Sequence, residues 1–125
     1  MTTTRHITTY QATIYVGGDL ATARAFLRDA AYQEWLCVSL TPTEFVFTGA
    51  VEAGVAIGFC AYPEVPVDAE QIFERARQIA TGLVKALGQR TALVVATDRT
   101  EWISIEPPGF FPRARATGSS PGVTR

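Results

Sequence analysis

The strongest constraint in this sequence is its apolar periodicity, which switches between helix and strand so that two helical stretches are each framed by β-rich runs. The second helical stretch is the clearer one. Ile72, Ala76, Ile79, Ala80, Leu83, Val84 and Leu87 recur at three- and four-residue spacing, while Glu70, Glu74, Arg77, Gln78 and Lys85 take the wet side. Asp68 with Gln71 three positions on predicts a capping box, and Gly88 supplies a C-terminal stop. The first stretch opens on Asp19 as an N-cap and continues through Leu20, Ala23, Phe26, Leu27, Ala30 and Ala31, with Arg24, Arg28 and Asp29 on other faces.

Around these helices the period falls to two. Ile7 to Val16 is rich in Thr, Ile, Tyr and Val and stops at Gly17-Gly18, which predicts a first strand. From Trp35, Leu36, Val38 and Leu40 alternate with Cys37, Ser39 and Thr41. Thr41-Pro42-Thr43 reads as a turn, and Glu44 to Thr48 is again extended, so these two runs are expected to pair as a hairpin. Gly49 and Gly54 bracket a short connection, either a second hairpin turn or a bulge. In the next run Val55, Ile57, Phe59 and Ala61 face one way and Ala56, Gly58, Cys60 and Tyr62 the other. Pro63 and Pro66 end it. Thr91 to Thr97 and Thr100 to Ile105 predict two closing strands around a turn at Asp98-Arg99.

The order β-α-β-β-β-α-β-β is that of an α+β, ferredoxin-like two-layer sandwich, a mainly antiparallel sheet with two helices on one face. At 125 residues the chain suits one such domain over residues 1–106. Residues 107–125 are rich in Pro, Gly, Ser and Arg and lack periodicity, so a flexible basic tail is expected there. Apolar residues make up 47% of the chain and charged ones 18%, lean in solvated surface for its size. The sheet face away from the helices carries small uncharged Ala56, Gly58 and Cys60 where a wetted face would carry Lys, Glu or Thr. A second subunit is expected to cover it, which makes the chain a homo-oligomer.

Several function classes are set aside by what the residues lack. A formal net charge of −1, with almost no positive charge on the strands, argues against nucleic acid and against an anionic membrane. No apolar run approaches the ~20 residues of a membrane span, and the polar start from Met1 to His6 does not resemble a secretory signal. A cytoplasmic protein is expected, with Cys37 and Cys60 as reduced core or interface thiols. The single histidine, His6, has no carboxylate or cysteine at a ligand or triad spacing, so neither a metal nor a cofactor is called for. No Gly-x-Ser-x-Gly elbow is present. The reading leans away from an enzyme, although carboxylates alone remain a third option.

Two resemblances bear on this architecture. Cys37-Val38 through Pro42, then Glu44-Phe45-Val46-Phe47-Thr48-Gly49 and Val51-Glu52, followed by an apolar strand and a helix, is similar to the central hairpin of CutA-type proteins of the PII-like group. The resemblance covers roughly residues 10 to 97. It implies a ferredoxin-like trimer with nucleotides or small metabolites held in clefts between subunits; the long partner-binding loop of PII proteins is missing here. The segment Thr-Gly-x-x-Glu-Ala-Gly-Val, Thr48 to Val55, also resembles small uncharacterised phage or prophage proteins.

Candidate ligand-binding residues follow from backbone permissiveness and side-chain chemistry. Gly49 and Gly54 permit close backbone approach, and Glu52 between them can accept hydrogen bonds from a ribose, amine or base. Tyr62 offers an aromatic wall to the same cleft. Gly17 and Gly18 open a helix N-terminus, where free amides can hold an anion; Arg90, Thr97 and Asp98 flank the penultimate strand and can contribute polar groups at a subunit boundary. The expected function is a non-enzymatic oligomer binding a nucleotide-like or anionic metabolite, in a phage setting one that sequesters a signalling molecule. The alternative is a structural or protein-interaction module, such as a phage inhibitor of a host protein, using the sheet face and the Phe110-Phe111 tail.

Overall fold

The structure, a computed structural model, describes residues 1–105. The tail from Pro107 onward, with Phe110 and Phe111, lies outside the described residues. The elements are β1 (Gln11–Gly17), α1 (Leu20–Gln33), β2 (Ser39–Phe47), β3 (Ala50–Cys60), α2 (Ala69–Ala86), β4 (Thr91–Ala96) and β5 (Thr100–Ser104). They form one five-stranded sheet in the order β2-β3-β1-β4-β5, with every neighbouring pair antiparallel. Both helices pack on one face, which is the ferredoxin-like sandwich the element order implies.

One local expectation is corrected. Thr41-Pro42-Thr43 is not a turn, and the two runs on either side of it form the single strand β2. Proline removes a ladder donor and is tolerated where a strand has an unpaired side. β2 lies at the sheet edge, so Pro42 can sit opposite Val55 without breaking the pairing. The reversal comes later, at Thr48-Gly49, where Gly49 has φ +83°.

The core lies between the helices and the inward residues of the three central strands. Ile14, Val55, Ile57 and Val94 from the sheet and Leu83 and Val84 from α2 are fully buried. The alternation in β1 and β3 therefore reads directly as inward and outward. The two helices approach closely where Phe26 of α1 rests on Gly82 of α2; a methyl group there would collide with the ring.

The helix ends are set by their own side chains. Asp19 accepts from the Thr22 amide at 2.8 Å, and Asp68 accepts from the Gln71 amide at 2.8 Å while Gln71 accepts in return from the Asp68 amide at 2.8 Å, closing the capping box. At the other end of α2, Gly88 has φ +68°, the Gln89 amide donates to the Val84 carbonyl at 2.8 Å and the Gly88 amide to Lys85 at 3.2 Å. This is a Schellman stop, and it fixes where Gln89 leaves the helix.

A polar strap ties α2 to the β4–β5 hairpin. Arg77 donates through Nε and Nη2 to Glu101 at 2.6 and 2.8 Å, and Arg99 donates through both terminal nitrogens to Glu70 at 2.9 and 2.7 Å. The Arg99 guanidinium lies over the buried Phe73 ring, 4.4 Å from its centroid. Asp98 accepts from the Tyr10 hydroxyl at 2.8 Å. Its carboxyl is held below the usual range by Arg99 first and Tyr10 second. Burial, then the bond to Asp98, pushes the Tyr10 phenol up from 10.0 to about 12.

Two predictions follow from this packing. Leu83→Ala should lower the unfolding free energy by about 2–5 kcal/mol, against about 1 kcal/mol for Asp68→Ala at the exposed cap, both read by urea denaturation. The folded state holds the Tyr10 proton more tightly than the unfolded chain, so this contribution is present below pH 10 and is lost as pH rises toward 12. Wild-type stability should therefore fall more steeply across that window than that of Tyr10→Phe; parallel curves would contradict the assignment.

Candidate functional site

The register of β3 on β1 brings four of the seven candidate residues together. Gly17 lies opposite Gly54, and Glu52, one pleat further along β3, points to the same outer face. Its carboxylate folds across the ladder onto Gly17: a Cβ built there would overlap Glu52 Oε2 and lie 3.2 Å from Gln89 Oε1. A side chain at position 17 is incompatible with this arrangement. The missing Cβ is what lets the carboxylate and the amide converge over the end of β1.

Each member of this corner is held by its own local cause. Gln89 is delivered by the Schellman stop of α2. Gly18, at φ +130°, turns the chain into α1 and donates its amide to the Ala53 carbonyl at 3.0 Å, tying the β1–α1 turn to the strand that carries Glu52. Phe45, opposite Glu52 on β2, lays its ring over Gly54. Gly49 lies at the hairpin tip three residues from Glu52, with open space where its side chain would be. The corner thus offers an exposed carboxylate and a side-chain amide, an acceptor beside a group that both donates and accepts, while the amino-terminal turn of α1 next to it is already capped by Asp19.

Tyr62 and Asp98 do not belong to it. β3 runs for 11 residues, and at about 3.3 Å per residue the stretch from Glu52 to Tyr62 spans roughly 30 Å. Tyr62 therefore lies at the opposite end of the sheet, beside the residues that precede β1; Ala61 donates to Tyr10 there at 3.0 Å. The single cleft expected to hold both Glu52 and Tyr62 is in fact two places. Asp98 sits at that far end as well, engaged by Tyr10 and Arg99 in the strap.

The far end has its own concavity, a pocket of 380 Å³ lined by Trp35, Leu36, Phe59, Tyr62, Ile72 and Arg75 among others. Cys37 and Cys60 stand at it as free, exposed thiols, which removes the core alternative of the two expected for them. Contact with Cys37, then Cys60, pushes the Tyr62 phenol up to about 12. Among the described residues, no group of three or more His, Cys, Asp or Glu side chains could hold a metal, and no helix is long and apolar enough to cross a membrane.

The outer sheet face is more aromatic than the third run alone implied. Tyr15 of β1, Leu93 and Val95 of β4 and Trp102 of β5 share it by register, and Trp102 keeps 53% of its surface exposed. Neighbouring Ala56 and Gly58 leave this surface low and flat. Glu52 stands at its margin. Gln89 and the aromatic strip were missed in the sequence because neither has a local motif; a glycine at the end of a strand, opposite another glycine, was the available signal.

No family model matches the chain, and no curated protein matches it in sequence. Solved structures do match its fold. A phage SAM lyase in complex with S-methyl-5'-thioadenosine superposes with a TM-score of 0.62 at 14% identity, covering 77% of this chain and 89% of that one. A phage SAM lyase in the apo state gives 0.59 at 14% identity, with 78% and 90% covered. At this identity the likeness shows a shared fold, one found in phage proteins.

Proposed function

We propose that this chain binds an adenosine substituted through sulfur at its 5' carbon, the thioether S-methyl-5'-thioadenosine or the sulfonium S-adenosylmethionine, at the Glu52–Gly17–Gln89 corner. The observation that carries the reading is the convergence of the Glu52 carboxylate and the Gln89 side chain over Gly17, in the space a Cβ would otherwise take. A carboxylate accepts from both hydroxyls of a ribose, and an amide both donates to and accepts from a base or sugar. Near a sulfonium centre the same carboxylate supplies an opposite charge. The phage SAM lyase with methylthioadenosine supports the ligand class, because it shares this fold.

The corner is shallow in a single chain, and the reading includes a second copy that closes it. The outer face presents Tyr15, Leu93, Val95 and Trp102 on the three strands β1, β4 and β5, an apolar strip that a self-association would remove from water. A trimer of the kind the PII-like resemblance implies would set Glu52 at the seam between subunits. In this arrangement a phage-encoded binder would withdraw the nucleoside from its host. A second reading, favoured by the name of the structural neighbours, is cleavage of S-adenosylmethionine, in which the substrate's own carboxylate displaces methylthioadenosine from the adjoining carbon to leave homoserine lactone, with Glu52 holding the substrate in place.

Calorimetric titration with methylthioadenosine and with S-adenosylmethionine tests both. Wild type should bind, and Glu52→Gln should weaken binding by about tenfold or more, the worth of one charge-assisted hydrogen bond, with the mass in solution unchanged. Gly17→Ala should do the same by displacing the carboxylate. Unaltered affinity in both variants would overturn the site. Conversion of S-adenosylmethionine to methylthioadenosine, followed by chromatography and abolished by Glu52→Gln, would establish the cleavage reading over simple binding.

A further inference from the structure

The pocket at the opposite end of the sheet has a chemistry of its own. It lies between the end of α1, the first turns of α2 and the residues around the end of β3, and its 380 Å³ falls within the range of small-molecule sites. Leu36, Phe59 and Ile72 supply an apolar floor. Trp35 and Tyr62 meet edge to face above it, with centroids 6.5 Å apart and planes at 74°.

Arg75 is the basic group of this pocket, and it is incompletely used. Its Nη1 makes an ion pair with Glu34 at 3.2 Å, while Nε and Nη2 are buried with no hydrogen-bond acceptor. A guanidinium presents its donors in a planar fork matched to the two oxygens of a carboxylate. Buried donors are ordinarily satisfied, so a fork with two idle prongs beside a cavity marks the place of an absent acceptor. Glu34 is a replaceable partner, because its side chain is 66% exposed and holds Arg75 through Nη1 at 3.2 Å, not through the fork.

We propose that this pocket is a second binding site, for a small amphipathic carboxylate whose flat apolar body lies against Phe59, Ile72 and the Trp35–Tyr62 pair and whose carboxylate takes the Arg75 fork. Glu34 and Glu74 stand at the same pocket, so a doubly charged phosphate ester meets more repulsion than a monoanion. This site lies roughly 30 Å along β3 from Glu52 and does not rest on the nucleoside reading.

The test uses 3-phenylpropionate and its uncharged amide, with Trp35 as the reporter in a Trp102→Phe background. The acid should change Trp35 emission saturably, and the amide should bind about tenfold more weakly or worse. Arg75→Gln should cause a similar loss, Arg75→Lys a partial one because a point charge lacks the fork, and Glu34→Gln should tighten binding by releasing the competing carboxylate. Glu52→Gln should leave all of this unchanged, which separates failure here from failure at the nucleoside corner. Absence of saturable binding by the acid, equal binding of acid and amide, or an unaffected Arg75→Gln would each overturn the proposal. If Arg75→Gln does not fold by circular dichroism, the comparison of acid with amide decides alone.

Discussion

The seam between α2 and the central strands is the constraint on which the rest of this molecule depends. Ile14, Val55, Ile57 and Val94 are buried beneath Leu83 and Val84, and none of them can move to the other face without taking its whole strand along. That burial fixes the register of β3 on β1, and the register sets Gly17 against Gly54 with Glu52 one pleat away. The Schellman turn at Gly88 ends α2 and hands Gln89 to the same point. The convergence of a carboxylate and an amide over Gly17 thus joins a strand register set by core packing to a helix stop set locally at Gly88.

The same geometry divides the polar chemistry between two ends of one sheet. At the carboxyl end of β1 the chain leaves a helix N-terminus, a glycine pair and an acid side by side. At the other end, α1 and α2 splay enough to leave a pocket, and the Tyr10–Asp98–Arg99 strap closes the neighbouring hairpin against α2. The strap absorbs its charges internally: Glu70 and Glu101 are both held below the usual range by their arginines. At the pocket, by contrast, Arg75 keeps Nε and Nη2 without an acceptor, and at the corner the exposed Glu52 carboxylate faces no arginine among the described residues.

Much of the architecture was legible in the residues, and the reasons differ by element. The Asp68–Gln71 box, the Gly88 stop and the stripe from Ile72 to Leu87 are local signals that packing reinforces, so α2 lies where its sequence puts it. Pro42 misled because a proline signals a turn unless its strand is at a sheet edge, and edge position is a property of the assembled sheet. Glu52, Gly17, Gly18 and Gly54 were legible as candidates through residue type alone. Their coming together was not, since it needed the antiparallel register; the same register sends Tyr62 to the opposite end. Gln89 and Arg75 carried no signal, because one owes its place to a helix terminus and the other to a missing acceptor.

The most direct test of the Glu52–Gly17–Gln89 corner as the ligand site is the change in backbone amide NMR shifts on adding methylthioadenosine to the isotopically labelled protein. The account predicts saturating shifts clustered at Gly17, Gly18, Glu52, Ala53 and Gln89, with Cys60, Tyr62 and Arg75 undisturbed. Shifts centred on Tyr62 and Arg75, or no saturating shifts at all, would contradict it.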